Sequence, residues 1–109
     1  MVSTGSQTLA GEKTFSNDIV VSGNLTVSGT TVTVNSETIS LADNIIDLNS
    51  NFTTGSPTEN AGIRIKRGDS ADVQLRWNES DDKWQFTNDG STYADILTGT
   101  QVKALFSAN

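Results

Sequence analysis

The stretch NLTVSGTTVTVNSETISLADNIIDLNSNF, Asn24–Phe52, decides how this chain is read. Leu25 and Val27 are followed by Val32 and Val34, then Ile39 and Leu41, then Ile46 and Leu48. Both members of each pair recur every seven residues, in the units LTVSGTT, VTVNSET, ISLADNI and IDLNSNF. The second position is polar each time: Thr26, Thr33, Ser40 and Asp47. Turn formers such as Ser28-Gly29, Asn35-Ser36 and Asp43-Asn44 fill the later positions.

A seven-residue period suggests a coiled coil, but coiled coils space apolar residues three and four apart on one helix face. Here the spacings are two and five. Two residues along a helix is about 200° of rotation, which would aim each pair at opposite sides. Val, Ile and Thr also suit strands better than helices. Each unit therefore predicts a three-residue strand, apolar–polar–apolar, followed by a four-residue turn.

Working outward, residues 1–17 form a small, polar N-terminal segment with two apolar anchors, Leu9 and Phe15. A strand is expected over Asp18–Ser22, which opens the short-strand region at 18–48. Residues 49–61 hold the single Pro and no periodicity, so they read as a linker loop. A meander containing both Trp residues is expected over 62–97. In GIRIKRG, Ile63 and Ile65 oppose Arg64 and Lys66. In DVQLRWNESDDKWQF, Val73, Leu75 and Trp77 alternate with Gln74 and Arg76, and Trp84 and Phe86 with Lys83 and Gln85. A four-residue loop at Glu79–Asp82 would pair Trp77 with Trp84 and Leu75 with Phe86 on one face. Such cross-strand pairs contribute roughly 0.2–1 kcal/mol each. A last short strand is expected at Tyr93–Leu97, after the turn NDGS.

Residues 98–109 form a C-terminal segment with room for one turn or short helix in TQVKALFSAN. Its TGTQ, Thr98–Gln101, repeats the TGSQ of Thr4–Gln7, and FSAN loosely echoes the FSN of Phe15–Asn17. Two readings stand: coincidence, or a module whose next copy begins here.

Composition limits function. The chain has 109 residues, a net charge of −6, and no Cys or His. Between Lys13 and Arg64 there is no basic residue, so neither a nucleic-acid footprint nor attraction to anionic membranes is expected. Without Cys and His there are no disulfides and no thiolate chemistry, and most zinc sites and the usual general base, His, are removed. No run approaches the roughly 18 apolar residues of a membrane span, and the first residues do not read as a signal peptide. Leu, Ile, Val and Phe make up about a quarter of the chain, above the level typical of disorder.

Several motifs have a functional and a plainer reading. RGD at Arg67–Asp69 matches an integrin-binding tripeptide, but Gly and Asp there suit a turn between two strands. Glu79, Asp81 and Asp82 could suggest calcium, yet they lack the alternating ligand order of a calcium loop and read as a solvated hairpin tip. Asp43 and Asp47 would meet around a cation only if copies of the chain surrounded an axis. The sequons at Asn24 and Asn51 mean little without a secretory signal. Trp77 and Trp84 could stack on a sugar, but such a pair more often forms the core of a hairpin. No carboxylate pair has a cleft or aromatic platform implied around it, so no catalytic residue, cofactor site or metal ligand is nominated, and the chain reads as non-enzymatic.

A single sheet with an open apolar face is marginal in water. Three chains around an axis would enclose Leu25, Val27, Val32, Val34, Ile39, Leu41, Ile46 and Leu48 in a shared interior. The expected fold is thus all-β: an elongated, intertwined homotrimeric β-fibre, triple-β-helical or β-prism-like, with a small antiparallel meander. Leu75, Trp77, Trp84 and Phe86 are its meander core or ligand-stacking candidates.

GEKTFSNDIVVSGNLTVSGTTVTVNSETISLADNIIDLNSN resembles fibre proteins of tailed bacteriophages. NAGIRIKRGDSADVQLRWNESDDKWQFTNDGSTYADI resembles a module of virion appendage proteins in marine phages, cyanophages especially. The likeness spans roughly Gly11 to Ile96 and is most specific over Leu75–Tyr93. It implies a homotrimeric β structure on a virion, released to the extracellular space, in a tail fibre or similar appendage used for host contact. Fibre proteins of this kind are usually much longer. The implied partners are copies of the chain, joined as trimers or also end to end, other virion proteins, and a host cell-surface receptor. Two alternative functions are a receptor- or glycan-binding module and the subunit of a self-assembling extracellular filament.

Overall fold

The computed structural model describes residues 4–107. Met1–Ser3 and Ala108–Asn109, the ends of the first and last segments, lie outside the described residues. The chain divides into two compact units between Ser40 and Leu41, within the third seven-residue repeat. Among the described residues, the regular structure is predominantly β, with four strands and one helix, all in the second unit.

In the first unit, residues 4–40, no strand pairing forms among the described residues. The strand expected at Asp18–Ser22 is absent, as are those at Leu25–Val27, Val32–Val34 and Ile39–Leu41. The fourth expected strand, Ile46–Leu48 in the second unit, is likewise unpaired. The physical reason is the accounting of backbone groups. A three-residue strand has no ladder unless a neighbour lies alongside, and four-residue turns give these segments none within the chain. The apolar pairs remain open to solvent, from Val34 at 52% exposed to Leu25 at 74%.

The second unit is built on β1 (Ala61–Arg67), β2 (Ser70–Asn78), β3 (Lys83–Thr87) and β4 (Tyr93–Asp95). They form one antiparallel sheet in sequence order. The register deduced from the Glu79–Asp82 loop is the observed one: Trp77 faces Trp84 and Leu75 faces Phe86. On the other side of β2, Ile63 faces Leu75 and Ile65 faces Val73. The last strand ends at Asp95, two residues short of the expected Leu97.

The turns follow from local chemistry. Gly68 adopts φ +61° in the β1–β2 turn, so the RGD sequence is a hairpin tip, as its Gly and Asp suggested. A bulge follows, with Lys66 opposed by both Ala71 and Asp72. In the β2–β3 loop, the Asn78 side-chain oxygen accepts from the amides of Ser80 and Asp81. Asp82 closes that loop at φ +53°, a conformation Asp tolerates better than most residues.

The C-terminal segment forms α1, Gly99–Ser107. TGTQ is its capping box: the Gln101 amide donates to Thr98 Oγ1 at 3.2 Å, and the Thr98 amide donates to Gln101 Oε1 at 2.7 Å. The same four-residue pattern at Thr4–Gln7 starts no helix, and Gly5 there has φ +85°. Helix formers such as Lys103, Ala104 and Leu105 follow the second copy. Thr8, Gly11 and Thr14 follow the first and disfavour propagation.

Candidate interaction surface

The strand alternation separates the sheet into two unlike faces. One face carries Ile63, Ile65, Leu75, Trp77, Trp84 and Phe86. The other carries Arg64, Lys66, Gln74, Arg76, Gln85, Thr87, Tyr93 and Asp95.

The covered face is the polar one. Gln85 is 6% exposed and Thr87 3%, and no apolar residue among those described is buried. Gln85 Oε1 accepts from Arg76 Nε at 3.1 Å, Arg76 Nη2 at 2.9 Å and Asn78 Nδ2 at 3.0 Å. Its amide nitrogen donates to Asp95 Oδ1 at 2.8 Å. The Arg76 guanidinium lies 3.4 Å from the centroid of the Tyr93 ring, a cation–π contact that roofs this part of the sheet. The hydrogen bond from Gln85, followed by that from Lys83, holds the Asp95 carboxyl below its ordinary range.

Thr87 closes the turn before β4. Its hydroxyl accepts from the amides of Asp89 and Gly90 and donates to Asp89 Oδ1. Asp89 Oδ1 in turn accepts from the amides of Thr92 and Ser91. These bonds, that from Thr92 first, lower the Asp89 carboxyl to about 2. On β1, Lys66 reaches Asp72 at 2.7 Å and lowers that carboxyl as well.

The apolar face is open. Trp77 is half-buried and meets Trp84 edge-on, with ring centroids 5.6 Å apart and planes at 73°. Its indole N–H donates to Glu79 Oε2 at 3.0 Å, so its polar atom is satisfied. Trp84 remains 50% exposed, Leu75 42% and Phe86 37%. A shallow apolar depression of about 310 Å³ runs from Ile46 and Leu48 across Gly62 and Ile63 to Leu75, Trp77 and Trp84. A second hollow of about 300 Å³ lies between Trp77 and the linker residues Phe52 and Pro57. The linker is tied to the hairpin tip where Asn60 Oδ1 accepts from the Glu79 amide.

Thus Leu75, Trp77, Trp84 and Phe86 do share one face, and Ile46 and Leu48 adjoin it. Leu41, in the same unit, lines neither hollow. The sequence reading missed Gly62. A Cβ there would stand 2.1 Å from the Leu75 carbonyl oxygen. An isolated Gly in an otherwise alternating strand is the signal that marks such close approach. Among the described residues, no group of three or more acidic side chains is arranged around a metal position, and Glu79 instead accepts from Trp77. No helix of the described residues is long and apolar enough to cross a membrane. Comparison of the chain with protein-family models, with curated proteins and with solved structures finds no match.

Proposed function

We propose that the chain is a structural component of a phage virion fibre, assembled as a homotrimer that supports host contact. The observation that carries the reading is the absence of any buried apolar side chain among the described residues, together with repeat pairs and a meander face that stay open. A chain of this composition does not hold a fold on hydrogen bonds alone, because apolar burial is the dominant favourable contribution to folding. Further copies supply the missing cover, with backbone partners for Leu25–Val27, Val32–Val34, Ile39–Leu41 and Ile46–Leu48. The virion setting rests on the resemblance of Gly11–Ile96 to phage fibre and appendage modules. In this reading the function is mechanical: a stiff support built without cofactor or catalytic group.

The test is sedimentation equilibrium of the purified chain with electron microscopy of the same sample. A particle of about 35 kDa, three times the 11.6 kDa chain, with a fibrous outline is expected. A folded monomer overturns the proposal.

The half-exposed Trp84 favours a second reading, a glycan- or receptor-binding module that offers an aromatic platform. Saturable quenching of Trp84 fluorescence by a soluble glycan would support it. Filaments of unlimited length would instead favour an extracellular filament subunit.

A further inference from the structure

Building on the trimer reading above, we infer that the meander itself closes a three-membered ring, the β1 edge of each copy seated against the β4 edge of the next with the apolar faces turned inward.

The first argument is charge. The β1 edge carries Arg64, Arg67 and Lys66, the last paired with Asp72 at 2.7 Å, and no acidic residue between 61 and 67. The β4 side carries Asp89 and Asp95, and Lys83 of the neighbouring strand reaches Asp95 at 3.1 Å. Arg64, Lys66, Arg67, Asp89 and Asp95 are all exposed residues. A two-fold contact of β1 with β1 would set cations against cations, and one of β4 with β4 would set carboxylates against carboxylates. Only the heterologous contact, β1 against β4, is complementary, and heterologous contacts that close form rings.

The second argument is strand direction. Four consecutive antiparallel strands begin and end in opposite directions, so β1 and β4 run opposite ways. Rotation of a copy about an axis along the strands places its β4 beside the first copy's β1, still antiparallel. The hydrogen-bond pattern continues across the joint, and neither edge stays unpaired.

The third argument is area. Ile63, Ile65, Leu75, Trp84 and Phe86 are between 37% and 59% exposed, which leaves roughly 500 Å² of apolar side chain open per copy, from full side-chain areas of about 150–250 Å². A standard interface of roughly 800 Å² per partner with about 60% apolar area needs that amount. An open row of copies would leave this face in water, whereas a closed ring removes it.

The chain has no Cys, so engineered thiols report cleanly. Arg64 and Asp95 stand on opposite edges of the sheet, three strand spacings or roughly 14 Å apart across it and two residues offset along it, beyond a disulfide within one chain. The double variant R64C/D95C of the full chain is oxidised, and covalent species are resolved by mass. Linked species that stop at three chains, with neither single variant linking, are the expected result. Linkage in either single variant, or a ladder running past three, overturns the ring. The Trp77→Phe variant provides a second readout that keeps both edges intact. In the assembled protein, the remaining Trp84 is expected to lose most of its iodide quenching relative to free tryptophan. Full quenching in an intact trimer overturns the ring while leaving the fibre proposal standing. A monomeric wild-type chain overturns both.

Discussion

Arg76 directs two of its nitrogens, Nε and Nη2, at the single Oε1 of Gln85, at 3.1 and 2.9 Å. This contact sits on the face of the sheet that a lone chain covers, opposite the indoles. Alternation has placed the side chains as a soluble hairpin requires, but the covered layer is polar and the open layer apolar. That inversion leaves the apolar face of the meander open.

The Gln85→Leu variant tests the polar layer. It removes the acceptor of Arg76 and Asn78 and the donor to Asp95. Stability is expected to fall by about 1–3 kcal/mol, the usual cost of leaving partly buried polar groups unpaired. The urea midpoint checks it, and under the trimer proposal the assembled mass is expected to persist.

Gly62→Ala is expected to push β1 off the sheet. The new Cβ would meet the Leu75 carbonyl oxygen at 2.1 Å and the Arg76 Cα at 2.8 Å. Both are backbone atoms that no rotamer change can move aside. A loss of about 1–3 kcal/mol or more follows from such overpacking. Hydrogen exchange of the β1 amides is expected to accelerate more than that of β3.

Acid is expected to loosen the turn before β4. The Asp89 carboxyl sits at about 2 in the folded chain against 3.8 ordinarily. A lowered folded value means that the unfolded chain binds the proton first. The contribution is therefore present above pH 3.8 and is lost as pH falls through about 2. Asp72 and Asp95 are lowered too and act in the same direction. Thermal midpoints measured over this range should fall less steeply in Asp89→Asn than in the wild type.

The capping box predicts a local effect. Thr98→Ala removes the acceptor of the Gln101 amide and is expected to cost about 1 kcal/mol of helix stability. Amide exchange in α1 should rise while β2 and β3 are unchanged. Thr4→Ala should leave exchange in α1 unaltered, since the same four-residue pattern there starts no helix.

Much of the second unit was legible in the residues. The period of two across Leu75–Trp77 and Trp84–Phe86, with a four-residue loop between, left one register that kept both indoles on one face. The Arg67–Asp69 turn followed from its Gly and Asp. The segments around Leu25, Val32, Ile39 and Ile46 have no strand pairing within the one chain. Their pattern specifies side-chain alternation, but a strand also needs a backbone partner, and alternation says nothing of where that partner comes from.

The sequence by itself determined which side chains share a face of the meander, because successive strand residues point to opposite sides and loop length sets the pairing. The tertiary structure alone decided that Gln85 and Thr87 occupy the covered face, that Trp84 stays open, and that a Cβ at Gly62 would strike the Leu75 carbonyl. Those outcomes depend on groups far apart in the chain, Arg76 with Tyr93, Gln85 with Asp95 and Gly62 with Leu75, whose meeting no local pattern encodes.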